Sequence, residues 1–324
     1  MKEDLLTVRP FRFGLQASNA SSAEEWTTIV RRAEELGYSA IHLGDHYLGP
    51  GAAHAAQGLA AIPAMAAAAA VTDTIRVGCR VFCIDFHVPA VLAKEVATIE
   101  LLSDGRLELG LGAGWVGDEY TAMGVTFDRA GVRIDRLEEV VTLMKAYFAG
   151  DDLEIDGSHV HVHGYRGAPE PLQRPRPPIM IGGGAKRILT FAGREADIVS
   201  LNFNNRAGVV GPDGVQSSTA ERTDERIAWV REGAGDRFDE IELEVAAYFA
   251  AVTDDPDAVA EGFGAKFGVE PTVMRRHPNA LIGSVDEICE ELQERRDRFG
   301  FSYVTISDRN REAFAPVVER LTGL

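Results

Sequence analysis

The sequence predicts an α/β fold, a single (β/α)8 barrel that covers residues 1–324 with an insertion at about 150–177. First, short apolar segments alternate along the chain with segments whose apolar residues recur at helical spacing. Second, such alternation is typical of a parallel sheet, and eight units are typical of a closed barrel. Third, 324 residues, 45% of them hydrophobic, can bury a large core. An open, doubly wound sheet is the alternative.

The first half of the chain supplies four of the predicted strand–helix units. Ser22 followed by Glu25 has the pattern of a capping box at a helix N-terminus, and Gly37 is placed to end that helix. Residues 59–71 predict a buried, Ala-rich helix that is too short to cross a bilayer. The predicted strands are 11–16, 38–44, 74–84 and 106–112, and the later helices are 89–103 and 131–148.

A break in this alternation precedes the second half. Residues 150–177 contain a predicted hairpin at 152–164 and then a proline-rich stretch, so we interpret them as an insertion. A loop is predicted at 204–220 and an irregular helical region at 256–299. The remaining strands are predicted at 178–184, 196–203, 240–252 and 301–307, and the helices at 185–195, at 220–233 and after 308.

The charge balance argues against several classes of partner. Thirty-three basic and fifty acidic residues give a net charge of −17, which repels nucleic acids and anionic membranes. An anionic ligand would need a local cluster of cations or a helix N-terminus. The three cysteines, Cys79, Cys83 and Cys289, suit a reducing compartment. Since the N-terminus has no apolar region typical of a signal peptide, we expect a cytoplasmic protein.

Barrel topology predicts where a site would lie. Active sites of such barrels form at the C-terminal ends of the strands, so residues directly after each strand are candidates. A histidine side chain can exchange a proton with a substrate oxygen, so His46 is a candidate for that role, with Asp45 orienting it. The alternative is a loop histidine bonded to the backbone. The other candidates are Ser18, Asn19, Asp85, Ala113, Gly114, Trp115, Gly182, Gly183, Gly184, Asn202, Asn204, Thr253, Ser307 and Asp308.

Two glycine-rich turns follow predicted strands. Residues 112–117 match the dinucleotide-binding pattern G-x-G-x-x-G, but residues 123–125 interrupt the helix that this motif requires. We therefore favour a close backbone approach to a flat ligand. The second turn, Gly182–Gly184, is followed by Lys186 and Arg187 at the start of a helix, which favours a phosphate site. The alternative is a tight turn with a solvated cation pair.

Metal binding is not predicted. His159, His161 and His163 share one face of the predicted hairpin, but no thiolate or carboxylate is evident as a further ligand. Polar exposure of that face explains them better. Cys79 and Cys83 have no matching second pair, so we interpret them as small buried side chains.

The chain resembles the bacterial luciferase-like oxidoreductases, and within them the branch that uses the deazaflavin coenzyme F420. The resemblance covers nearly the whole chain. It rests on three blocks, AEELGYSAIHLGDHYLG, RVGCRVFCIDFHVPAVLAKEVATIELLSDGRLELGLGAGW and PPIMIGGGAKRILTFAGREADIVSL. It implies a barrel with a (deaza)flavin at its C-terminal end, and a homodimer.

The resemblance also implies roles for particular residues. It implies a bulge in the third strand with a non-prolyl cis peptide at Arg80-Val81, which backs the cofactor ring. Ala113 and Gly114 would flank the ring, and Asp45-His46 matches an acid–histidine pair beside it. Gly182–Gly184 would hold the phosphate, with Lys186 and Arg187 suiting an anionic tail.

Two residues depart from the family pattern. Trp115 stands where sugar-phosphate dehydrogenases of the family carry a glutamate, so an acid role does not transfer to it. We expect it to line the substrate pocket, together with Asn202 and Asn204. Arg80 is larger than the residue often found at the bulge.

The resulting hypothesis is an enzyme that transfers a hydride between F420 and a small organic substrate, with His46 exchanging the proton. The first alternative is an FMN-dependent monooxygenase supplied by a separate reductase. The second is a non-catalytic (deaza)flavin-binding protein.

Overall fold

The computed structural model describes residues 9–48, 58–205, 208 and 211–324. Residues 1–8 at the N-terminus and 206–207 and 209–210 of the predicted loop lie outside the described residues. The strands are β1 (Arg12–Gln16), β2 (Ala40–Leu43), β3 (Arg76–Cys83), β4 (Leu107–Gly112), β5 (Asp152–Asp156), β6 (His161–Arg166), β7 (Ile179–Gly183), β8 (Ile198–Leu201), β9 (Glu242–Ala247), β10 (Phe249–Val252), β11 (Ala280–Gly283) and β12 (Phe301–Ser307).

The helices fall between these strands. They are α1 (Ala23–Glu35), α2 (Ala61–Ala70), α3 (Pro89–Leu102), α4 (Gly117–Ala122), α5 (Ala130–Ala149), α6 (Lys186–Glu195), α7 (Pro212–Gln216), α8 (Ala220–Ala234), α9 (Pro256–Phe267), α10 (Pro271–Arg275), α11 (Val285–Phe299) and α12 (Arg311–Leu321). Within the described ranges, no helix combines the length and apolar character that crossing a membrane requires.

Eight strands close into a parallel barrel in the order β1-β12-β9-β8-β7-β4-β3-β2. Each of the eight predicted strands contributes one of them, so the predicted fold class is confirmed. Strands β5 and β6 pair antiparallel outside the barrel, as the predicted hairpin required. The chain divides into two compact units. We call residues 16–34 and 40–181 the first unit, and 1–15, 35–39 and 182–324 the second unit.

Helix packing in the first unit follows the apolar pattern. Helix α1 buries Trp26, Ile29, Val30 and Ala33 on one face. The capping prediction is half right, because Ser22 Oγ accepts the Glu25 N–H at 3.1 Å while the Glu25 carboxylate accepts from Ser21 N–H at 2.6 Å. Helix α2 buries one face only, formed by Ala61, Ala64, Met65, Ala68 and Ala69.

The second unit corrects three predictions. The strand expected at 240–252 is divided at Tyr248 into β9, which joins the barrel, and β10, which pairs with β11 outside it. Strand β11 interrupts the region expected to be helical, and α7 lies within the expected loop. These segments enclose a separate apolar cluster, which explains the division. Its buried members are Phe203, Val215, Phe249, Ala260, Val269, Met274, Ala280 and Ile282.

Candidate functional site

The third barrel strand is bulged where the family resemblance implied. The register between β3 and β4 shifts between Cys79 and Phe82, and the Arg80–Val81 peptide bond is cis. Both expectations are confirmed. The facing strand must leave room for the bulge, since a Cβ on Gly110 would overlap the Cys79 carbonyl and one on Gly112 would overlap the Val81 side chain. Packing against the bulge therefore requires glycine at both positions of β4. At Gly112 this requirement adds to the close approach of a flat ligand that the sequence predicts.

The turn after β4 is held in one conformation by buried groups. Gly114 has φ +68°, and a Cβ there would overlap the Tyr120 hydroxyl and lie 2.6 Å from Cys83 Sγ. Arg133 Nε donates to the Ala113 carbonyl at 3.0 Å. Ala113 and Gly114, expected beside the cofactor ring, thus lie on a rigid turn that only glycine can complete at position 114.

Beneath this turn, the side chains of Tyr120, Asp85 and Cys83 form a hydrogen-bonded cluster that has a structural role. Tyr120 donates its hydroxyl to Asp85 Oδ2 at 2.8 Å, and Asp85 Oδ1 accepts from Arg136 at 2.5 Å. Burial raises the pKa of Tyr120, and the neighbouring Cys83 and Asp85 raise it further. Burial likewise raises the pKa of the Cys83 thiol to about 12. Both groups therefore stay protonated at neutral pH, and Cys83 lies 3.2 Å from the Tyr120 oxygen, to which it donates.

His46 is paired with a carboxylate that the sequence analysis did not single out. Its Nδ1 lies 3.0 Å from Oε2 of Glu119 on α4. The imidazole is 46% exposed, whereas the carboxylate is 3% exposed. Oε1 of Glu119 accepts the N–H groups of Tyr47 and Leu48 at 2.8 and 3.0 Å. Glu119 therefore fixes both the loop after β2 and the orientation of the His46 ring.

The protonation state of Glu119 determines the tautomer of His46. Burial opposes the ionisation of Glu119, but the hydrogen bonds from His46 and from the backbone of Leu48 and Tyr47 outweigh it, so its pKa is lowered. An ionised carboxylate only accepts hydrogen bonds, so the His46 Nδ1 must carry the proton. The Nε2 atom is then the one that can accept or release a proton.

Asp45 does not orient His46, which corrects the role expected from its position in sequence. Its Oδ2 accepts the Cys83 N–H at 2.9 Å and lies 2.8 Å from Nε2 of His87. Asp45 is 5% exposed. It therefore links the loop after β2 to the end of the bulged strand. Its effect on the site is to fix the position of the backbone at Cys83.

Trp115 lies against His46. The two rings meet edge to face, with centroids 5.9 Å apart and an interplanar angle of 83°. The indole is half-buried. Trp115, which has no acidic group, thus borders His46. Its apolar ring surface is suited to contact an organic molecule beside the imidazole.

The second unit contains the predicted phosphate turn. Gly182–Gly184 end β7 and lead into α6, whose N-cap is Ala185 and has no side-chain capping bond. The first N–H groups of a helix have no acceptor within it, so they are suited to bind an anion. Lys186 pairs with Glu232 at 2.9 Å, and both are exposed. Packing also requires two of the glycines, because a Cβ would lie 2.5 Å from Ile188 at Gly183 and 2.5 Å from the Asn202 carbonyl at Gly184.

The two predicted pocket asparagines follow β8. Asn202 Oδ1 accepts the Tyr248 hydroxyl at 2.5 Å, and its amide donates to Ser200 Oγ at 3.1 Å. Asn204 is exposed, and its N–H donates to Ser217 Oγ at 3.0 Å. Asn202 is therefore fixed by its neighbours, while the Asn204 side chain faces solvent.

Three of the other candidates, Ser18, Thr253 and Asp308, have structural partners. Ser18 Oγ accepts the Gly44 N–H at 3.1 Å, Thr253 Oγ1 accepts the Asp255 N–H at 3.1 Å, and Asp308 pairs with Arg311. In the hairpin, His161 and His163 lie on β6 and pair with Asp156 and Glu154, at 2.8 and 3.3 Å, whereas His159 precedes the strand. Among the described residues, no three His, Cys, Asp or Glu side chains converge as metal ligands would.

Sequence reasoning missed Glu119, Tyr120, Arg133 and Arg136. Each acts through a contact that tertiary structure creates, between 7 and 73 residues apart along the chain. The only sequence signal was their place just after the G-x-G turn, on the two helices that follow β4.

The fold is a closed (β/α)8 barrel, and comparison with known proteins specifies the family. Residues 4–268 match the model of the luciferase-like monooxygenases. The chain belongs to this family.

Relatives with described activities include users of both cofactors. An F420-dependent glucose-6-phosphate dehydrogenase of Microbacterium testaceum is 30% identical over 190 residues, which are 58% of this chain and 55% of that protein. An FMNH(2)-dependent dimethylsulfone monooxygenase of Pseudomonas putida is 31% identical over 121 residues, which are 37% of this chain and 33% of that protein. The chain thus spans a third to about half of these relatives.

Solved structures share the fold over nearly the whole chain. The F420-dependent tetrahydromethanopterin reductase of Methanopyrus kandleri superimposes with a TM-score of 0.75 at 16% identity, covering 97% of this chain and 100% of that one. A monooxygenase of Streptomyces bottropensis gives 0.72 at 21% identity, covering 96% and 97%. At these identities the likeness establishes the fold alone.

Proposed function

We propose that the protein is an F420-dependent oxidoreductase that transfers a hydride between the deazaflavin and a small organic substrate. The observation that carries the proposal is the His46–Glu119 pair, which gives a half-exposed imidazole a fixed tautomer next to an apolar side chain, Trp115. Such a pair supplies the proton transfer that accompanies hydride transfer at an alcohol or carbonyl.

The residues fit the cofactor that the family implies. The bulge at Arg80-Val81 and the rigid turn at Ala113 and Gly114 offer backbone to a flat ring. The uncapped N-terminus of α6, after Gly182–Gly184 and beside Lys186 and Arg187, offers N–H donors and positive charge to a phosphate. When bound there, a deazaflavin supplies the two-electron hydride chemistry.

Proton transfer is the task of this chain's own residues. When a hydroxyl-bearing substrate is oxidised, Nε2 of His46 accepts the hydroxyl proton as the hydride leaves carbon, and the reverse reaction returns it. Glu119 stabilises the imidazolium that forms, because its ionised carboxylate accepts from Nδ1 in both states. Trp115 positions the substrate and excludes water from one side of the imidazole.

An FMN-dependent monooxygenase is the second candidate, and the similarity to the dimethylsulfone monooxygenase favours it. The two functions differ in their need for oxygen. We expect the protein, with F420 and a panel of primary and secondary alcohols, to reduce the deazaflavin without consuming oxygen. Oxygen uptake with reduced FMN, and none of this activity with F420, would contradict the proposal.

A non-catalytic (deaza)flavin carrier is the third candidate. It would bind the cofactor yet convert no member of an alcohol, aldehyde and ketone panel. The His46→Ala variant separates the possibilities further, since it should bind cofactor like the wild type but lose turnover. Full turnover by this variant would show that His46 has no part in the reaction. We also propose a homodimer, which sedimentation velocity tests directly.

A further inference from the structure

Arg226 on α8 is a buried cation whose partners are all neutral. It is 3% exposed. Its Nη1 donates to the Asn202 carbonyl at 3.0 Å and to Ser218 Oγ, and its Nη2 donates to Ser217 Oγ at 3.0 Å. Among the described residues, no carboxylate lies within ion-pairing distance of it. The adjacent acid on its helix, Glu225, pairs instead with Arg222 at 3.1 Å.

A half-buried arginine of the same unit, Arg237, also donates to carbonyls, but a helix dipole compensates its charge. Arg237 donates to the carbonyls of Gly193 and Ala196 at the C-terminal end of α6, where the helix dipole is negative. Arg226 lacks such compensation, because Ser217 and Ser218 precede the N-terminal, positive end of α8. Burial lowers the pKa of Arg226 to about 10; the nearby Arg222 lowers it further, and Glu225 offsets these effects only in part.

One residue, Asn202, separates this charge from the glycine turn. The Asn202 N–H donates to the Gly183 carbonyl at 2.8 Å. The Asn202 carbonyl, which accepts from Arg226, lies 2.5 Å from the position that a Cβ on Gly184 would take. The guanidinium therefore stands directly behind the turn that leads into α6. Inside a protein, where screening is weak, a charge at this range acts on an anion bound at the turn.

We infer that Arg226 is the buried counter-charge of a phosphate bound at Gly182–Gly184, and that it selects phosphorylated over phosphate-free forms of the cofactor. The inference rests on the proposed function and names a residue that acts on the ligand through Asn202 and through space. Arg226 is thus a positioning residue. The chain has a net charge of −17, and the exposed Lys186 near the turn is neutralised by its pairing with Glu232. Arg226 therefore supplies positive potential at the turn that Lys186 does not supply.

The test compares ligands with and without the phosphate. FMN and riboflavin differ by the phosphate alone and form the deciding pair. F420 and its deazaflavin riboside, which lacks both the phosphate and the anionic tail attached to it, form the second pair. Dissociation constants are measured by fluorescence for the wild type, Arg226→Gln and Arg226→Lys. Arg231→Gln is the matched control, because Arg231 is an exposed arginine further along α8.

We expect Arg226→Gln to weaken binding of the phosphorylated ligand by about tenfold or more and to leave the phosphate-free ligand unchanged. Arg226→Lys, which keeps the charge, should retain most of the discrimination. Arg231→Gln should match the wild type. If Arg226→Gln does not fold, Arg226→Met, which keeps the aliphatic stem, gives the same comparison.

Three outcomes would overturn the inference. Equal losses for both members of a ligand pair would show that Arg226 only holds the loop after β8. Unchanged affinities, or a Lys variant as weak as the Gln variant, would show that its charge is not sensed. A wild type that binds phosphorylated and phosphate-free ligands equally would instead refute the phosphate site itself, and with it that part of the proposed function.

Discussion

At the scale of single residues, the site depends on pairings that sequence adjacency does not reveal. His46 was predicted from its place after a barrel strand, but its partner is Glu119, 73 residues further on. Asp45, the obvious neighbour, instead contacts Cys83 and His87. Side chains that follow one another at a strand end point in different directions, so adjacency along the chain could not identify the pair.

Replacing Glu119 by Gln should reverse the tautomer of His46. The Gln oxygen can still accept from Tyr47 and Leu48, but its amide would donate to Nδ1 and leave the proton on Nε2. We expect kcat to fall about a hundredfold with KM nearly unchanged. Nitrogen-15 NMR of the His46 ring gives a readout independent of turnover.

Asp118→Asn, an exposed change on the same helix, is the control and should retain both kcat and the tautomer. An unaltered His46 tautomer in Glu119→Gln would refute the positioning role of Glu119.

Two glycines after β4, Gly114 and Gly124, allow a matched pair of substitutions. Gly114 and Gly124 have almost the same backbone, φ +68° and +70°, but a Cβ at 114 overlaps Tyr120 and one at 124 meets nothing within 4 Å. Gly114→Ala should lower the free energy of unfolding by about 2–4 kcal/mol, and Gly124→Ala by about 1 kcal/mol. Denaturant unfolding measures both. Equal losses would mean that the contact with Tyr120 imposes no constraint.

At the scale of elements, the eight barrel strands were predictable because each is a buried apolar run bounded by turn residues. Strands β10 and β11 were not, for a physical reason. Residues 245–252 are continuously apolar across Tyr248, so nothing local shows that the chain leaves the barrel there. Helix α7 begins Pro-Asp-Gly, which is typical of a turn, and tertiary contacts with the apolar cluster override that preference.

His277 forms hydrogen bonds with two of these outer segments and makes the free energy of unfolding depend on pH. It is 1% exposed, and its ring lies between Val215 O at 3.0 Å and the Asn279 N–H at 3.1 Å. Burial lowers its pKa from 6.5 to about 4, although the Val215 bond opposes this. Between these values the unfolded chain binds a proton that the folded chain does not. Stability is therefore complete above pH 6.5 and falls toward pH 4, by about 3 kcal/mol for this group.

Urea unfolding of the wild type and His277→Gln between pH 7 and 4.5 checks this expectation. The Gln variant cannot titrate, so its deficit in unfolding free energy should shrink as the pH falls. His163→Gln, a change of an exposed histidine, should show no such convergence. A constant deficit across this range would refute the assignment to His277.

At the scale of the whole molecule, the sequence predicted the barrel and the family, and the comparisons confirm both. The cofactor could not be decided in the same way, because relatives that use F420 and FMNH(2) share the fold and similar identities. A barrel fixes where a ring can lie, while the groups that bind the cofactor's anionic part decide between related cofactors.

The central claim is most directly tested by titrating the purified protein with oxidised F420 and with FMN under the same conditions. The account predicts saturable binding of F420, tighter than that of FMN by at least about tenfold. Tight binding of FMN with none of F420 would contradict it and would make the protein a flavin-dependent member of the family.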